Sequence, residues 1–309
     1  MERRIGIPVI CVLVLSACSA TEPQALQNES ISPTAKVEGV TTNKVGADFA
    51  APLDVAFARL DQNISTGLWA EGYTDVNTAL SATRGGGTDA TGIRFDDPKY
   101  YQSSTINNET RMVGWYPAII PSAGVLTFDS SDGATDVLLT QELTGNAEHK
   151  FGADKNLFIF GHKLSLILVS VIATSQETVN RWVSVASVSV KGLPTTYQIT
   201  LPGDALATGT KDIVLNRRGG SGKMVAVELS SSCLVECGYL LTAPLGRALT
   251  LELVGGNGER RTIEAPLPDG EFFRPAIYKL SLNLDGERLT AGGLTAGDWE
   301  EEIHLDVEF

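Results

Sequence analysis

Residues 301–309 read EEIHLDVEF. Ile303, Leu305, Val307 and Phe309 alternate with Glu302, His304, Asp306 and Glu308, and Phe309 is the last residue of the chain. Successive side chains of a strand point to opposite faces, so the stretch reads as a strand with one buried and one wet face. Short β-type runs separated by Gly, Asp, Asn and Pro turns recur back through the chain. Strands are expected at LDVAFARL (53–60), VGWYPAII (113–120), GVLTF (124–128), DVLLT (136–140), KLSLILVSVIA (163–173) and VSVASVSV (183–190). TYQITL (196–201), KDIVL (211–215), KMVAVEL (223–229), LTLELVG (249–255), RTIEAPL (261–267) and AIYKLSLNLDG (276–286) continue the series. The connectors SSDG, NRRGGSGK and GGNGER read as hairpin tips, where glycine supplies the positive φ of a tight turn. Few stretches have helical apolar spacing, so the class is all-β, with β-sandwiches and Greek-key connections.

The other end of the chain, MERRIGIPVICVLVLSACSA, has a basic start, an apolar run from Ile5 to Leu15 and then small residues. That is the build of a secretory signal, too short for a membrane-spanning helix. Leu15-Ser16-Ala17-Cys18 resembles the bacterial lipoprotein cleavage box, which implies removal of residues 1–17 and lipidation of Cys18. Several acyl chains, at about 0.8 kcal/mol per buried CH₂, tether a protein to a membrane surface. Residues 18–47 are polar and poor in aromatics, and read as a flexible leader. Two domains are expected beyond it, 48–152 and 153–309, divided in the polar stretch TGNAEHKFGADKN (144–156).

A net charge of −13 repels phosphate backbones and anionic lipid heads, which excludes nucleic acid as a partner. Once Cys11 leaves with the signal and Cys18 carries lipid, Cys233 and Cys237 in CLVEC are left, at neither redox nor zinc-knuckle spacing. A local disulfide and two buried free thiols both fit the pair. Little else suggests chemistry, and no metal or cofactor site is expected. The three histidines, His149, His162 and His304, are too far apart in sequence for a local metal or triad pattern. GGSGK (219–223) lacks the full phosphate-loop spacing and lies between two β-runs. In DSSDGATD (129–136), Gly133 stands where a calcium loop needs a ligand. Trp115 and Tyr116 suit either a sugar-stacking platform or a core, and Trp182 and Trp299 share that ambiguity.

Three longer pieces carry a resemblance: GWYPAII…GVLTFDSSDGATDVLLTQ (114–141), LFIFGHKLSLILVSV (157–171) and AIYKLSLNLDGERLTAGGLTAGDWEEEI (276–303). In this order, behind a lipoprotein signal and a polar leader, they resemble the fimbrillin family of Bacteroidales surface fimbriae. The resemblance implies two transthyretin-like β-sandwich domains, export as a lipoprotein to the outer membrane, and assembly with other fimbrial subunits by donor-strand exchange. It also implies a cut by a trypsin-like protease after a basic residue, in the leader or beyond the first strand, which opens a groove for a neighbour's strand. Lys44, Arg59 and Arg84 are the candidate cut sites, with Arg84 in SATRGGG expected to be exposed. Ile303, Leu305, Val307 and Phe309 are the candidate donor side chains. The competing readings are a fimbrial anchor or tip subunit, a surface lipoprotein that binds host glycan or protein without polymerising, and an enzyme, for which no nucleophile motif speaks.

Overall fold

The computed structural model describes residues 29–38, 51–69, 71–87, 89–102, 108–152, 156–219, 221–243, 248–266 and 275–299. The expected all-β class holds. Among the described residues the α-helix is a single short one, α1 (Gln176–Trp182), capped by Ser175, whose Oγ accepts the Thr178 N–H.

The first half forms a ring rather than an open sandwich. Its members are β1 (Thr34–Val37), β2 (Leu53–Asp61), β3 (Leu80–Arg84), β4 (Thr91–Phe95), β5 (Thr110–Tyr116), β7 (Leu138–Thr140) and β9 (Phe158–His162). The order runs β2-β3-β4-β1-β9-β7-β5, and β5 pairs back onto β2, so the circuit closes. β8 (Leu143–Gly145) attaches to β5 beside it. Closure removes the unpaired edges that an open sheet exposes. Phe57 fills the middle of the ring with edge-to-face contacts to Phe95, Phe158 and Phe160, at centroid distances of 5.6, 5.2 and 6.1 Å. Gly114, across the sheet from Phe57, makes room for that ring: a Cβ there would lie 2.5 Å from Phe57 Cε1.

The second half is a sandwich of two sheets. One has the order β16-β10-β19-β20, with β16 (Val235–Thr242), β10 (Ser165–Ala173), β19 (Ile277–Asp285) and β20 (Arg288–Gly297). The other has the order β14-β11-β17-β18, with β14 (Lys211–Val214), β11 (Ser184–Leu193), β17 (Ala248–Gly255) and β18 (Arg260–Pro266), and β15 (Val227–Glu228) pairs with β11. Alternate residues of both sheets meet in one core: Ile167, Val169, Val188, Leu251, Leu253, Leu280 and Leu282.

Three expectations change. β9, placed by the sequence in the second domain, completes the ring of the first, so the chain passes from one unit to the other between His162 and Ser165 and not at 152/153. The SSDG turn is not a hairpin tip, because β6 (Val125–Asp129) pairs with β12 (Thr196–Thr200) in a separate sheet that β13 (Asp204–Thr208) extends. Gly133 of that turn, at φ 62°, packs on the sandwich, where a Cβ would strike Leu240. Finally, the leader is not a tether throughout, since residues 29–38 are structured and contain β1.

Candidate functional site

The site is β1 and the slot that holds it. Ile31, Pro33, Ala35 and Val37 point inward and are buried, while Ser32 and Lys36 point out. This alternation is the strand signature met at the other end of the chain. β1 runs antiparallel to β4, with Ala35 opposite Thr91, and parallel to β9, with Ala35 opposite Phe158 and Val37 opposite Phe160. Further main-chain bonds extend the contact on both sides: Ile31 N–H to the Lys99 carbonyl (2.7 Å), Ile93 N–H to that of Pro33 (2.9 Å) and Glu38 N–H to that of Phe160 (2.9 Å). Removing this segment opens the ring between β4 and β9 and strips the groups on both sides of their partners.

His162 ties the end of this segment to two distant parts of the chain. Its Nδ1 lies 2.7 Å from Asp136 Oδ2 and its Nε2 lies 3.0 Å from the Glu38 carbonyl oxygen. The ring thus bridges a carboxylate on one side and a main-chain carbonyl on the other. The Trp299 indole stacks flat on the imidazole, with centroids 3.7 Å apart and planes 7° apart. The His162 and Asp136 side chains are each 1% exposed. Sequence spacing gave no hint of this cluster, because Asp136, His162, Glu38 and Trp299 come from four separate segments.

Of the candidate cut sites, Lys44 lies outside the described residues, as do the lipidation candidate Cys18 and the donor candidates Ile303, Leu305, Val307 and Phe309. Arg84 is a correction: it is buried, not exposed, at the end of β3. Its guanidinium donates to the carbonyls of Gly85, Gly87 and Asp89 and so folds the glycine-rich loop around itself. Burial lowers its pKa from the ordinary arginine value, and the nearby Asp89 carboxylate offsets this only in part. Arg59 sits within β2, paired with Asp61 at 2.8 Å and donating to the Tyr100 carbonyl. A protease needs an extended, accessible backbone, which neither arginine offers here. Between the structured Glu38 and β2, Lys44 is the sole Lys or Arg in the sequence.

The remaining candidates resolve as structural groups. Cys233 and Cys237 are free thiols, the first exposed and the second buried, and burial pushes the Cys237 pKa up to about 12. Trp115, Trp182 and Trp299 are buried, with Trp115 Nε1–H donating to the Ile119 carbonyl and Trp182 Nε1–H to that of Gly286. None of the three is a sugar platform. Trp69, which the sequence reading passed over, is half-buried beneath the Arg111 guanidinium at 4.0 Å. Lys223, the last residue of GGSGK, donates to the Asp132 carbonyl and to Asn216 Oδ1, and so joins two loops.

No family model matches the chain, and no curated protein matches it in sequence. Solved structures do match. A proposed cell adhesion protein from Bacteroides uniformis superposes with a TM-score of 0.61 at 14% identity, covering 87% of this chain and 98% of that one. A proposed cell adhesion protein from Bacteroides ovatus gives a TM-score of 0.54 at 13% identity, with the same coverages of 87% and 98%. The tip fimbrial protein Mfa3 from Porphyromonas gingivalis, with a C-terminal truncation, gives 0.47 at 10% identity over 88% of this chain and 100% of that one. At these identities the likeness is one of fold, and it agrees with the fimbrillin-like resemblance of the sequence.

Proposed function

We propose that this chain is a structural, non-enzymatic subunit of a cell-surface fimbria that contributes to adhesion. It is exported as a lipoprotein through Cys18 and joined to other fimbrial subunits by strand exchange. The observation that carries this reading is β1 itself, a strand continuous with the leader, placed inside a closed ring and held by parallel pairing to β9. Cutting after Lys44 separates β1 and the lipid together from the rest of the chain. The emptied slot then presents two sheet edges and an apolar trough, which a strand from a neighbour fills. Ile31 and Val37 are nearly fully buried, so each contributes about 1.5–3 kcal/mol that a replacement strand must match. At the other end, Ile303, Leu305, Val307 and Phe309 are the side chains this subunit donates.

The test is denaturing electrophoresis of the native surface fraction, with and without boiling, probed for this chain, together with its N-terminal residue. The expected result is a set of larger species that collapse on boiling to a chain starting at Val45. A single band starting at Cys18 in both lanes sinks the polymer reading. Deleting residues 301–309 is expected to leave the protein folded and exported but to shorten or abolish the polymer. Unfolding of that truncated chain would assign the last strand to its own sheet.

A further inference from the structure

We infer that the slot vacated by β1 selects for a strand with a small residue at one central position, and that this subunit therefore receives the strand of a different chain, not a copy of its own last strand. The inference rests on the removable β1 of the proposed function and names the kind of partner that slot accepts.

The inward side chains of the segment are not uniform: Ile31, Pro33 and Val37 are bulky, and Ala35 between them is a single methyl. Ala35 is fully buried and lies directly opposite Phe158, which is also fully buried. The Phe158 ring is fixed from two further sides, by Phe57 at 5.2 Å and Phe151 at 5.4 Å, and Phe151 in turn stacks on Tyr101 at 5.8 Å. These rings belong to one buried cluster with Ala35, so growth of that side chain is into a packed interior whose nearest cross-strand neighbour is an aromatic residue. A larger side chain there crowds a ring that two others already hold, and close-packed interiors tolerate such overpacking poorly. The requirement belongs to the trough, so it applies to a strand entering in either direction.

The last ten residues of this chain, EEEIHLDVEF, contain neither Ala nor Gly. Read forward, the third apolar position is Val307; read backward, it is Leu305. Both are larger than the methyl that the trough accommodates. The four-fold alternation needed for strand insertion is present, and the volume match is not.

The test uses the full chain cleaved after Lys44 and freed of its residues up to 44, with labelled peptides titrated by fluorescence anisotropy. A peptide of residues 29–38 is expected to rebind, and its Ala35→Leu form to bind at least ten-fold more weakly. A peptide of residues 300–309 is expected to be as weak as the Leu form. Restoring a small residue in it, by Val307→Ala or by Leu305→Ala, is expected to strengthen binding at least ten-fold for one of the two, and which one reports the direction of entry. Equal binding of the 29–38 peptide and its Leu form, or of the 29–38 and 300–309 peptides, overturns the selectivity. Failure of the 29–38 peptide itself to rebind overturns the removable strand, and the selectivity with it.

Discussion

The core of the ring is aromatic and the core of the sandwich is aliphatic. Phe57, Phe95, Phe151, Phe158, Phe160 and Tyr101 lie among aliphatic side chains in the first, whereas the buried cluster of the sandwich is mostly Val, Leu and Ile around Trp182 and Tyr278 and contains no Phe. The two differ also in how the chain supplies them. Among its clustered side chains, every sandwich contribution comes from Ile167 onward, while one wall of the ring comes from Ile31, Ala35 and Val37, upstream of Lys44. Under the proposed cut after Lys44, the unit that loses a strand is the one filled with aromatic rings.

The largest effect expected from this contrast is at the centre of the ring. Phe57→Ala removes a ring with three edge-to-face partners and is expected to cost about 3–5 kcal/mol in urea unfolding. Hydrogen exchange is expected to rise in residues 53–61 and 158–162 first, with protection of 165–173 and 277–285 retained. Simultaneous loss of protection in both units would mean that ring and sandwich unfold as one, and the contrast between them would fail.

His162 gives the next largest. His162→Ala leaves the buried Asp136 side chain with the Val137 N–H as its remaining partner among the described residues, and is expected to cost about 3 kcal/mol. Two local signals distinguish it from general destabilisation: faster exchange of the Glu38 amide, and a red shift in Trp299 emission resolved by comparison with a Trp299→Phe background. The matching change in the sandwich is Arg181→Ala, which breaks ion pairs to Glu259 and Glu287 at the surface and is expected to cost far less. Equal costs would show that His162 is an ordinary contact and not a tie between β1 and the chain near Trp299.

How much of this could be read beforehand differs between the two units for a physical reason. The sandwich strand β10 carries a run of Val, Leu and Ile, and β11, β17 and β19 alternate such residues with polar ones, and the sequence places all four. β1 was hidden because its inward face is Ile31, Pro33, Ala35 and Val37: a proline and a small residue in a polar leader look like a tether, and aromatic partners far along the chain turn it into a strand. β20 was hidden for the opposite reason, since the glycines of RLTAGGLTAG suggest turns, and pairing with β19 holds them extended. At Arg84 the sequence misleads because glycines around an arginine suggest exposure, when here the loop turns the carbonyls of Gly85, Gly87 and Asp89 onto it. The cluster of His162, Asp136 and Trp299 has no local signal, because its members meet only once ring and sandwich are both built.

A smaller effect separates the two cysteines. Cys237 is a neutral thiol in the folded protein up to about pH 12, whereas in the unfolded chain it ionises near its ordinary value of 9.0. The folded state therefore binds more protons than the unfolded one across that window, and stability falls as pH rises from about 9 toward 12. The contribution of this one group is about 1.4 kcal/mol per pH unit, read as the difference between wild type and Cys237→Ala so that other titrating groups cancel. In the native protein at pH 8, a thiol reagent is expected to modify the exposed Cys233 and spare Cys237. Modification of both at the same rate would mean that the strand carrying Cys237 opens without global unfolding.

The smallest expected change is a gain, and it lies in the sandwich. Val183 ends helix α1 at φ 65° and ψ −56°, a conformation that a β-branched residue reaches only under strain. Its side chain is 61% exposed, so little packing is lost on removing it, and its N–H still bonds the Val179 carbonyl. Val183→Gly relieves about 1–3 kcal/mol of backbone strain, while glycine gives back about 0.5–1 kcal/mol through the freedom it adds to the unfolded chain. The net expectation is a stabilisation of about 1 kcal/mol, seen as a raised urea midpoint with unchanged slope. Because the strained residue directly precedes β11, the gain is expected in the protection of 184–193 and not in the ring. A gain shared equally by residues 53–61 would show the two units to be coupled through their common boundary, which is the property that loss of β1 from one of them would most directly test.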